Sequence, residues 1–280
     1  MTINPPGKLS IVATPIGNRD DISLRAIKTL QSADLILAED TRHSKRLLDY
    51  HCINTRLKAC HEHNEGQLLS SVIEDLLKGL NIALISDAGT PLISDPGFVL
   101  VRAVRDAGLD VVAIPGPSSI IAALSVAGLP TDRFYFEGFL PAKTAARKEK
   151  YQELMAQSCT VVVLESAHRI KSSLSDLATV MGEERVIAVA RELTKKFETV
   201  LYGSAAEVLE QVRSDADQVK GEFVVLISGT PRQEQMGGID PHRLMQLLCA
   251  EVSLKTAAKL AAQITGQRKN ELYEIGLALK

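Results

Sequence analysis

The chain has 280 residues, of which 45% are hydrophobic and only 4% aromatic, with a formal net charge of −2 at pH 7. This length allows two compact domains or one large one, and the small net charge excludes a fold that attracts polyanions over its whole surface. No apolar run approaches the ~20 residues that span a membrane, and the N-terminal residues lack a signal-peptide pattern. We therefore expect a cytoplasmic protein without membrane contact.

The first part of the chain alternates between short aliphatic runs and amphipathic stretches. The predicted strands are Leu9–Ala13, Leu35–Ala38, Leu57–Ala59, Ile82–Ser86 and Val111–Ile114. The predicted helices are Leu24–Leu30, Ser44–Leu48, Gln67–Lys78, Val99–Ala107 and Ile120–Ala127. Repeated βαβ units predict a parallel sheet, whose strands are buried on both faces and so are aliphatic throughout.

In the second half, strands follow one another without intervening helices, which favours a mixed sheet. Phe134–Phe139 is a strand or a linker, and further strands are predicted at Thr160–Leu164, Arg185–Ala190, Glu198–Leu201 and Glu222–Ile227. Helices are predicted at Ala145–Met155, Arg169–Val180 and Ala205–Val212.

The end of the chain is predicted to be helical. After a Gly-, Pro- and Gln-rich linker at Gly229–Gly238, helices are expected at Pro241–Glu251, Leu254–Thr265 and Lys269–Leu279. The last two are joined by a short turn at Gly266, as in a helix-turn-helix, although many helical pairs with this pattern bind no nucleic acid. We expect an α/β domain over residues 1–118, a second over 119–233, and a small helical tail over 234–280.

Three loops rich in Gly, Pro and hydroxyl residues follow three of the predicted strands. They are Thr14–Asn18, Asp87–Gly97 and Pro115–Ser119. Ligands of open α/β sheets bind outside the carboxyl ends of the strands, so the three loops predict one cleft. Backbone groups exposed by Gly and Pro suit a purine edge and an amino-acid moiety, which describes S-adenosylmethionine, although an adenine nucleotide would also fit.

Other cofactor signatures are weaker or absent. The sequence contains neither GxGxxG nor GxxxxGK[ST], which disfavours a dinucleotide or a P-loop nucleotide. The cluster from Cys60 to His63 invites a zinc interpretation, but Glu65 stands where HExxH needs its second His. The four cysteines form no CxxC pair, and we expect them to be reduced and no metal to be bound.

The motifs together resemble a known family. They are TPIGN, AEDTRHS, SDAGTPLISDPG, IPGPSS, LPTDRFYFEGFLPAK and ARELTKKFE, and they extend over most of the chain. The chain resembles the bacterial 16S ribosomal RNA cytidine-2′-O-methyltransferases, which are relatives of the tetrapyrrole methylases, also called class III methyltransferases. The resemblance implies a homodimer of two α/β domains, with S-adenosylmethionine bound between them. It also implies a substrate cytidine in the decoding region of 16S ribosomal RNA within the small ribosomal subunit.

Residue by residue, the resemblance implies a donor site drawn from both domains. Its members would be Pro15, Gly17, Asp87, Ala88, Gly89, Thr90, Ser118, Ser119, Leu164, Glu165, Lys220, Gly221 and Glu222. In the tetrapyrrole methylases the first loop is richer in Gly than TPIGN is.

Methyl transfer to a ribose hydroxyl also needs a group that removes the hydroxyl proton. The candidates for this base are Glu39, Asp40, His43, Glu62, His63 and Glu165. We expect Glu39, Asp40 and Arg42 to form the catalytic group, with Arg42 on a phosphate of the target nucleotide. Alternatively, Glu39 or Asp40 caps the following helix, as acids commonly do there.

Further RNA contacts are expected from two regions with small positive charge. The predicted phosphate-binding residues are Arg42, Lys143, Arg147, Lys148, Lys255, Lys259, Arg268 and Lys269. Two alternatives are open for the charged residues after the strand at Arg185–Ala190: they contact the RNA backbone, or they pair with each other. These residues are Arg191, Glu192, Lys195 and Lys196. Two rival functions stay open: a class III methyltransferase acting on a tetrapyrrole or a protein side chain, and a non-catalytic nucleic-acid-binding module.

Overall fold

A computed structural model describes residues 5–61, 64–230 and 240–279. The first sheet has five strands: β1 (Lys8–Val12), β2 (Leu35–Ala38), β3 (Leu57–Ala59), β4 (Ile82–Ile85) and β5 (Asp110–Ile114). Their order is β3-β2-β4-β1-β5 and every pairing is parallel. The predicted parallel sheet is confirmed, with each strand within one residue of its expected bounds.

Five helices are interleaved with these strands or follow them. They are α1 (Leu24–Ser32), α2 (Thr41–Tyr50), α3 (Glu65–Leu77), α4 (Phe98–Asp106) and α5 (Ser119–Val126). Successive strand residues join different apolar clusters: Leu37 and Leu84 belong to one, and Ile36 and Ala83 to another. Because side chains alternate across a strand, both faces of this sheet are buried, which explains the aliphatic runs.

The second sheet is mixed, as the adjacent strands predicted. It contains β6 (Phe134–Phe139), β7 (Thr160–Ser166), β8 (Val186–Arg191), β9 (Thr199–Ser204) and β10 (Glu222–Ile227), in the order β6-β7-β10-β8-β9. Only the β6–β7 pairing is parallel. The helices of this region are α6 (Thr144–Leu154), α7 (Ile170–Met181) and α8 (Ala205–Ser214).

Helix α5 lies at the junction of the two sheets. Its residues Ile120, Ala123 and Leu124 share an apolar cluster with Val162 and Leu226 of the second sheet. This packing supports a boundary before residue 119, but the domain bounds stay a prediction. The second bound, at residue 233, lies outside the described residues.

Arg147 corrects one sequence-based prediction. Its side chain is 2% exposed, and its Nε and Nη2 donate to Asp176 Oδ2 at 2.8 and 2.6 Å. Lys148 Nζ also lies 3.6 Å from Asp176 Oδ1. The expectation that Arg147 binds an RNA phosphate is therefore wrong, because its guanidinium holds α6 against α7 inside the fold. Lys148 is partly committed to the same acid.

The described part of the tail forms three helices: α9 (Pro241–Glu251), α10 (Leu254–Thr265) and α11 (Lys269–Ala278). They enclose a small core that includes Met245, Ala257, Ala261 and Leu272. Gly266, with φ of 72°, ends α10 in the left-handed conformation that glycine tolerates best. The predicted helical tail is confirmed. Within the described residues, no helix combines the length and the apolar character needed to cross a membrane.

Candidate active site

The loops that follow β1, β4 and β5 are tied to one another. Thr14 and Gly89 exchange backbone hydrogen bonds of 2.8 and 3.0 Å, and Thr14 Oγ1 donates to the Ser86 carbonyl at 3.1 Å. Thr90 Oγ1 donates to the Pro117 carbonyl at 3.1 Å, which links the β4 loop to the β5 loop. The polar residues of these loops thus hold three strand ends in one fixed arrangement.

A cavity of about 570 Å³ opens over these loops and extends to the second sheet. Most of the predicted donor residues line it: Asp87, Ala88, Gly89, Thr90, Ser118, Ser119, Leu164, Glu165, Gly221 and Glu222. Its volume lies in the ordinary range for a small-molecule site. The structure therefore brings together residues separated by more than 130 positions in the sequence.

Pro15, Gly17 and Lys220 occupy other positions. Pro15 and Gly17 line a second, smaller pocket, and an added Cβ on Gly17 would meet Lys195 Cγ at 2.5 Å. Gly17 therefore permits close contact between the two halves of the chain. Lys220 is exposed and pairs with Asp217 at 2.8 Å, while its carbonyl accepts from Arg191 Nε.

Glu165 is the most deeply buried acid of the cavity wall. Its Oε1 forms an ion pair with Arg169 Nε at 2.9 Å and accepts a hydrogen bond from the Ser166 backbone N–H at 2.8 Å. Its buried Oε2 has no hydrogen-bond partner among the described residues. An unpaired buried oxygen is costly, so a hydroxyl or amino donor of a bound ligand fits this position.

Three carboxyl groups, those of Glu39, Asp87 and Asp95, lie together at the cavity wall. Burial raises the pKa of Glu39, and the charges of Asp87 and Asp95 raise it further. Burial likewise raises the pKa of Asp95, against a lowering hydrogen bond from Ser86. A carboxylate with a raised pKa is a better proton acceptor than an ordinary one.

Asp40 and Arg42 are placed differently from Glu39. Asp40 Oδ1 accepts from the backbone N–H groups of Arg42 and His43 at 2.8 and 3.3 Å, which lowers the pKa of Asp40. Asp40 is thus the N-cap of α2, the structural alternative that the sequence left open. Arg42 is exposed on the first turn of that helix.

The remaining predicted RNA-binding residues are spread over the surface. Lys143 is exposed at the N-terminus of α6, and Lys255, Lys259, Arg268 and Lys269 are all exposed on the tail. Arg191 is 7% exposed and donates to the carbonyls of Lys220 and Phe197, so it is structural. Lys195 pairs with Glu192 at 2.8 Å, so these two residues of the segment pair with each other.

Several residues of the cavity wall were not assigned to the site from the sequence, although Ser94 and Asp95 lie in a loop that the sequence predicted at the cleft. Asp95 and Ser94 come from the β4 loop, Phe139 from β6, and His168, Ala190, Leu193 and Phe223 from the second domain. The SDPG motif at Ser94–Gly97 was the signal available in the sequence. In the structure, Ser94 and Leu92 have left-handed backbones, with φ of 69° and 72°. Such conformations are uncommon for residues other than glycine and often occur at functional loops.

Among the described residues, no group of three His, Cys, Asp or Glu side chains is arranged to hold a metal ion. Glu62 and His63, two of the candidate bases, lie outside the described residues. Cys60 is buried, and burial raises the pKa of its thiol to about 11.

Comparisons with known proteins identify the family. Residues 8–209 match the model of the Tetrapyrrole (Corrin/Porphyrin) Methylases, and residues 237–280 match the RsmI C-terminal HTH domain. The "Ribosomal RNA small subunit methyltransferase I" of Pseudomonas aeruginosa is 52% identical over 273 residues, covering 97% of each chain. The protein of the same name from Escherichia coli O157:H7 is 50% identical over 274 residues, covering 98% of this chain and 96% of the relative.

The chain belongs to the ribosomal RNA small subunit methyltransferase I family, within the tetrapyrrole methylases. It is a methyltransferase whose methyl donor is S-adenosylmethionine. Among solved structures, uroporphyrin-III-C-methyltransferase from Thermus thermophilus has a TM-score of 0.57 at 19% identity, covering 79% of this chain and 94% of that one. That similarity establishes the fold and not the substrate.

Proposed function

We propose that this enzyme methylates the ribose 2′-hydroxyl of a cytidine in the decoding region of 16S ribosomal RNA. The observation that carries the proposal is the identity of about half the residues, over nearly the full length, to relatives named ribosomal RNA small subunit methyltransferase I. The match of residues 237–280 to the helix-turn-helix unit of the same family supports it. The substrate is RNA within the small ribosomal subunit, so the enzyme works in the cytoplasm.

The donor would bind in the 570 Å³ cavity, where its sulfonium supplies the methyl group. The loops tied by Thr14, Gly89 and Thr90 present backbone groups to it from the first domain. From the second domain, Glu165 Oε2, which has no partner among the described residues, would accept a hydrogen bond from a donor hydroxyl. The residues present therefore fit S-adenosylmethionine.

The reaction is an in-line displacement at the methyl carbon. The carbon–sulfur bond breaks as the ribose oxygen forms a carbon–oxygen bond, S-adenosylhomocysteine leaves, and the hydroxyl proton passes to a base. We assign the base to Glu39, because it lines the cavity and burial among Asp87 and Asp95 raises its pKa. Positioning of oxygen and methyl carbon about 3–3.5 Å apart supplies much of the rate.

RNA phosphates would be bound by exposed basic residues around the cleft and on the tail. Arg42, Lys143, Lys255, Lys259, Arg268 and Lys269 are exposed and, among the described residues, form no ion pair. Lys148 contributes less to phosphate binding, because its Nζ already lies 3.6 Å from Asp176 Oδ1. We also propose that the enzyme acts as a homodimer, which size-exclusion chromatography with light scattering tests directly.

The decisive experiment transfers labelled methyl from S-adenosylmethionine to small ribosomal subunits that lack the modification, followed by alkaline hydrolysis of the RNA. Label in a hydrolysis-resistant dinucleotide that contains cytidine supports ribose 2′-O-methylation. Label on a base would overturn the ribose assignment. Absence of label, in an enzyme that still binds the donor, would point to a tetrapyrrole or protein acceptor instead.

A further inference from the structure

A second pocket adjoins the donor cavity on the far side of the Asp87 loop. It has a volume of about 270 Å³ and shares Ile16, Asp87, Ala88 and Glu222 with the larger cavity. Its remaining wall comes from the β1 loop, from α2, and from Ser86 and Lys195. A group held here would lie beside the proposed donor cavity.

The walls of this pocket are predominantly basic. Arg19, His43, Arg46 and Lys195 line it, against the acids Asp87 and Glu222. Glu222 is already paired with Lys195 at 3.0 Å, and Asp87 Oδ1 accepts from the Asp40 backbone N–H at 3.1 Å. Arg19, Arg46 and Lys195 carry three positive charges against the two negative charges of Asp87 and Glu222, so the lining has an excess of positive charge.

The guanidinium groups of Arg19 and Arg46 have no carboxylate partner among the described residues. Arg19 instead lies over the ring of Tyr50, with its Cζ 5.2 Å from the ring centroid. Tyr50 is four residues after Arg46, so both lie on the same face of α2. This stacking holds Arg19 in place without neutralising it.

A further polar group in the pocket is unused. Ser44 lines the pocket and is 3% exposed, and its buried Oγ has no hydrogen-bond partner among the described residues. Polar groups buried in this way are nearly always satisfied in native proteins, and an exception calls for an explanation. A polar ligand seated against α2 provides one.

We propose that this pocket, the Arg19–Arg46 pocket, binds a backbone phosphodiester of the RNA strand beside the target ribose. The proposal rests on the function proposed above. The planar guanidinium of Arg matches phosphate geometry, and two such groups, those of Arg19 and Arg46, line the pocket. The two arginines would position the strand so that its 2′-hydroxyl faces the donor cavity.

The test compares Arg19→Ala, Arg46→Ala and Arg46→Lys with a matched control, Lys45→Ala. Lys45 is the neighbour of Arg46 on α2, but it pairs with Asp49 at 3.2 Å and does not line the pocket. Equilibrium binding of purified small ribosomal subunits is measured against salt concentration, independently of methyl transfer. Donor affinity is measured separately by calorimetry, which also shows that each variant is folded.

Each Arg→Ala change is expected to weaken subunit binding about tenfold, the effect of losing one charge-assisted hydrogen bond. It should also lower the slope of log affinity against log salt by about one. Arg46→Lys should retain part of the affinity for subunits, because it keeps the positive charge but loses the planar guanidinium. Lys45→Ala should match the wild type, and all variants should bind the donor normally.

The proposal is overturned if Arg19→Ala and Arg46→Ala bind subunits with the affinity and salt slope of Lys45→Ala. It is also overturned if these two variants lose affinity for S-adenosylmethionine instead. A third contrary outcome is that inorganic phosphate protects the wild type but not Arg46→Ala from thermal unfolding, while the wild type and Arg46→Ala bind subunits equally well. Failure of the ribose-methylation assay with normal, Arg46-dependent subunit binding would instead contradict the proposed reaction and support the phosphate site.

Discussion

Thr14 and Gly89 lie 75 residues apart and form two reciprocal backbone hydrogen bonds across the mouth of the first sheet. Gly89 has φ of 79°, so the loop after β4 turns back towards the loop after β1 at a conformation that favours glycine. Thr90 then continues the connection to Pro117. The cavity of the proposed donor site is therefore built on three loops that are hydrogen-bonded to one another.

Removal of the Thr90 hydroxyl should loosen this set of loops. Thr90→Val loses the hydrogen bond to the Pro117 carbonyl, which is worth about 1 kcal/mol, and calorimetry should show donor affinity reduced about fivefold. Thr179→Val is the control, because the Thr179 hydroxyl donates to the Ser175 carbonyl in an exposed bond of α7 and Thr179 does not line the cavity. Equal donor affinity in both variants would show that the loop connection does not support the site.

Glu39→Gln should lower kcat by about hundredfold or more, the effect expected for a lost general base, while donor affinity changes little. In the wild type, the raised pKa of Glu39 places the loss of activity on the acidic side at a higher pH than for an ordinary Glu. The pH profile of kcat/KM should lose this acidic limb in the variant. A variant with normal kcat would move the base to Asp95 or elsewhere.

The same carboxyl should make the protein less stable as the pH rises. Because folding raises the pKa of Glu39, the folded state favours its protonated form, and the stabilisation present below the ordinary Glu pKa is lost as the pH rises through the raised value. Glu39→Gln should therefore unfold at a higher temperature than the wild type at neutral pH. Differential scanning calorimetry at pH 5 and pH 8 would test this, and an equal difference at both values would contradict it.

Arg147→Ala should destabilise the protein by about 3–5 kcal/mol, the usual cost of removing one member of a buried ion pair and leaving the other charge buried without its partner. Lys148, 3.6 Å from Asp176, reduces this loss in part. Urea unfolding measures the change, with Lys143→Ala as the control on the same segment. Lys143→Ala should leave stability unaltered and weaken RNA binding; the opposite pattern would restore Arg147 as an RNA contact.

Glu165→Gln should raise the Kd for S-adenosylmethionine about tenfold, because the charged acceptor for a donor hydroxyl is lost. Glu137→Gln serves as the control, since Glu137 is a partly buried acid of the same domain that pairs with Lys150 and does not line the cavity. Donor affinity that is equal in the two variants would remove Glu165 from the proposed donor site.

Most strands and helices, the parallel first sheet and the family could be predicted from the amino-acid sequence. Aliphatic runs such as Ile82–Ile85 are buried on both faces, and Gly, Pro and hydroxyl residues at strand ends mark loops, so local composition reports these features directly. The strands of the first sheet, to within one residue, and the three-loop cleft could therefore be predicted without the fold, whereas β9 extends three residues beyond its predicted end.

Which charged residues are available to a ligand depends on the tertiary packing. Arg147 and Lys143 lie in the same basic segment, yet one is buried against Asp176 from α7 and the other is exposed. Likewise, Glu39 and Asp40 are neighbours, but only Glu39 lines the cavity, where Asp87 and Asp95 alter its pKa. The charge state and reach of a side chain depend on partners distant in sequence, which only the packing of helices and loops brings together.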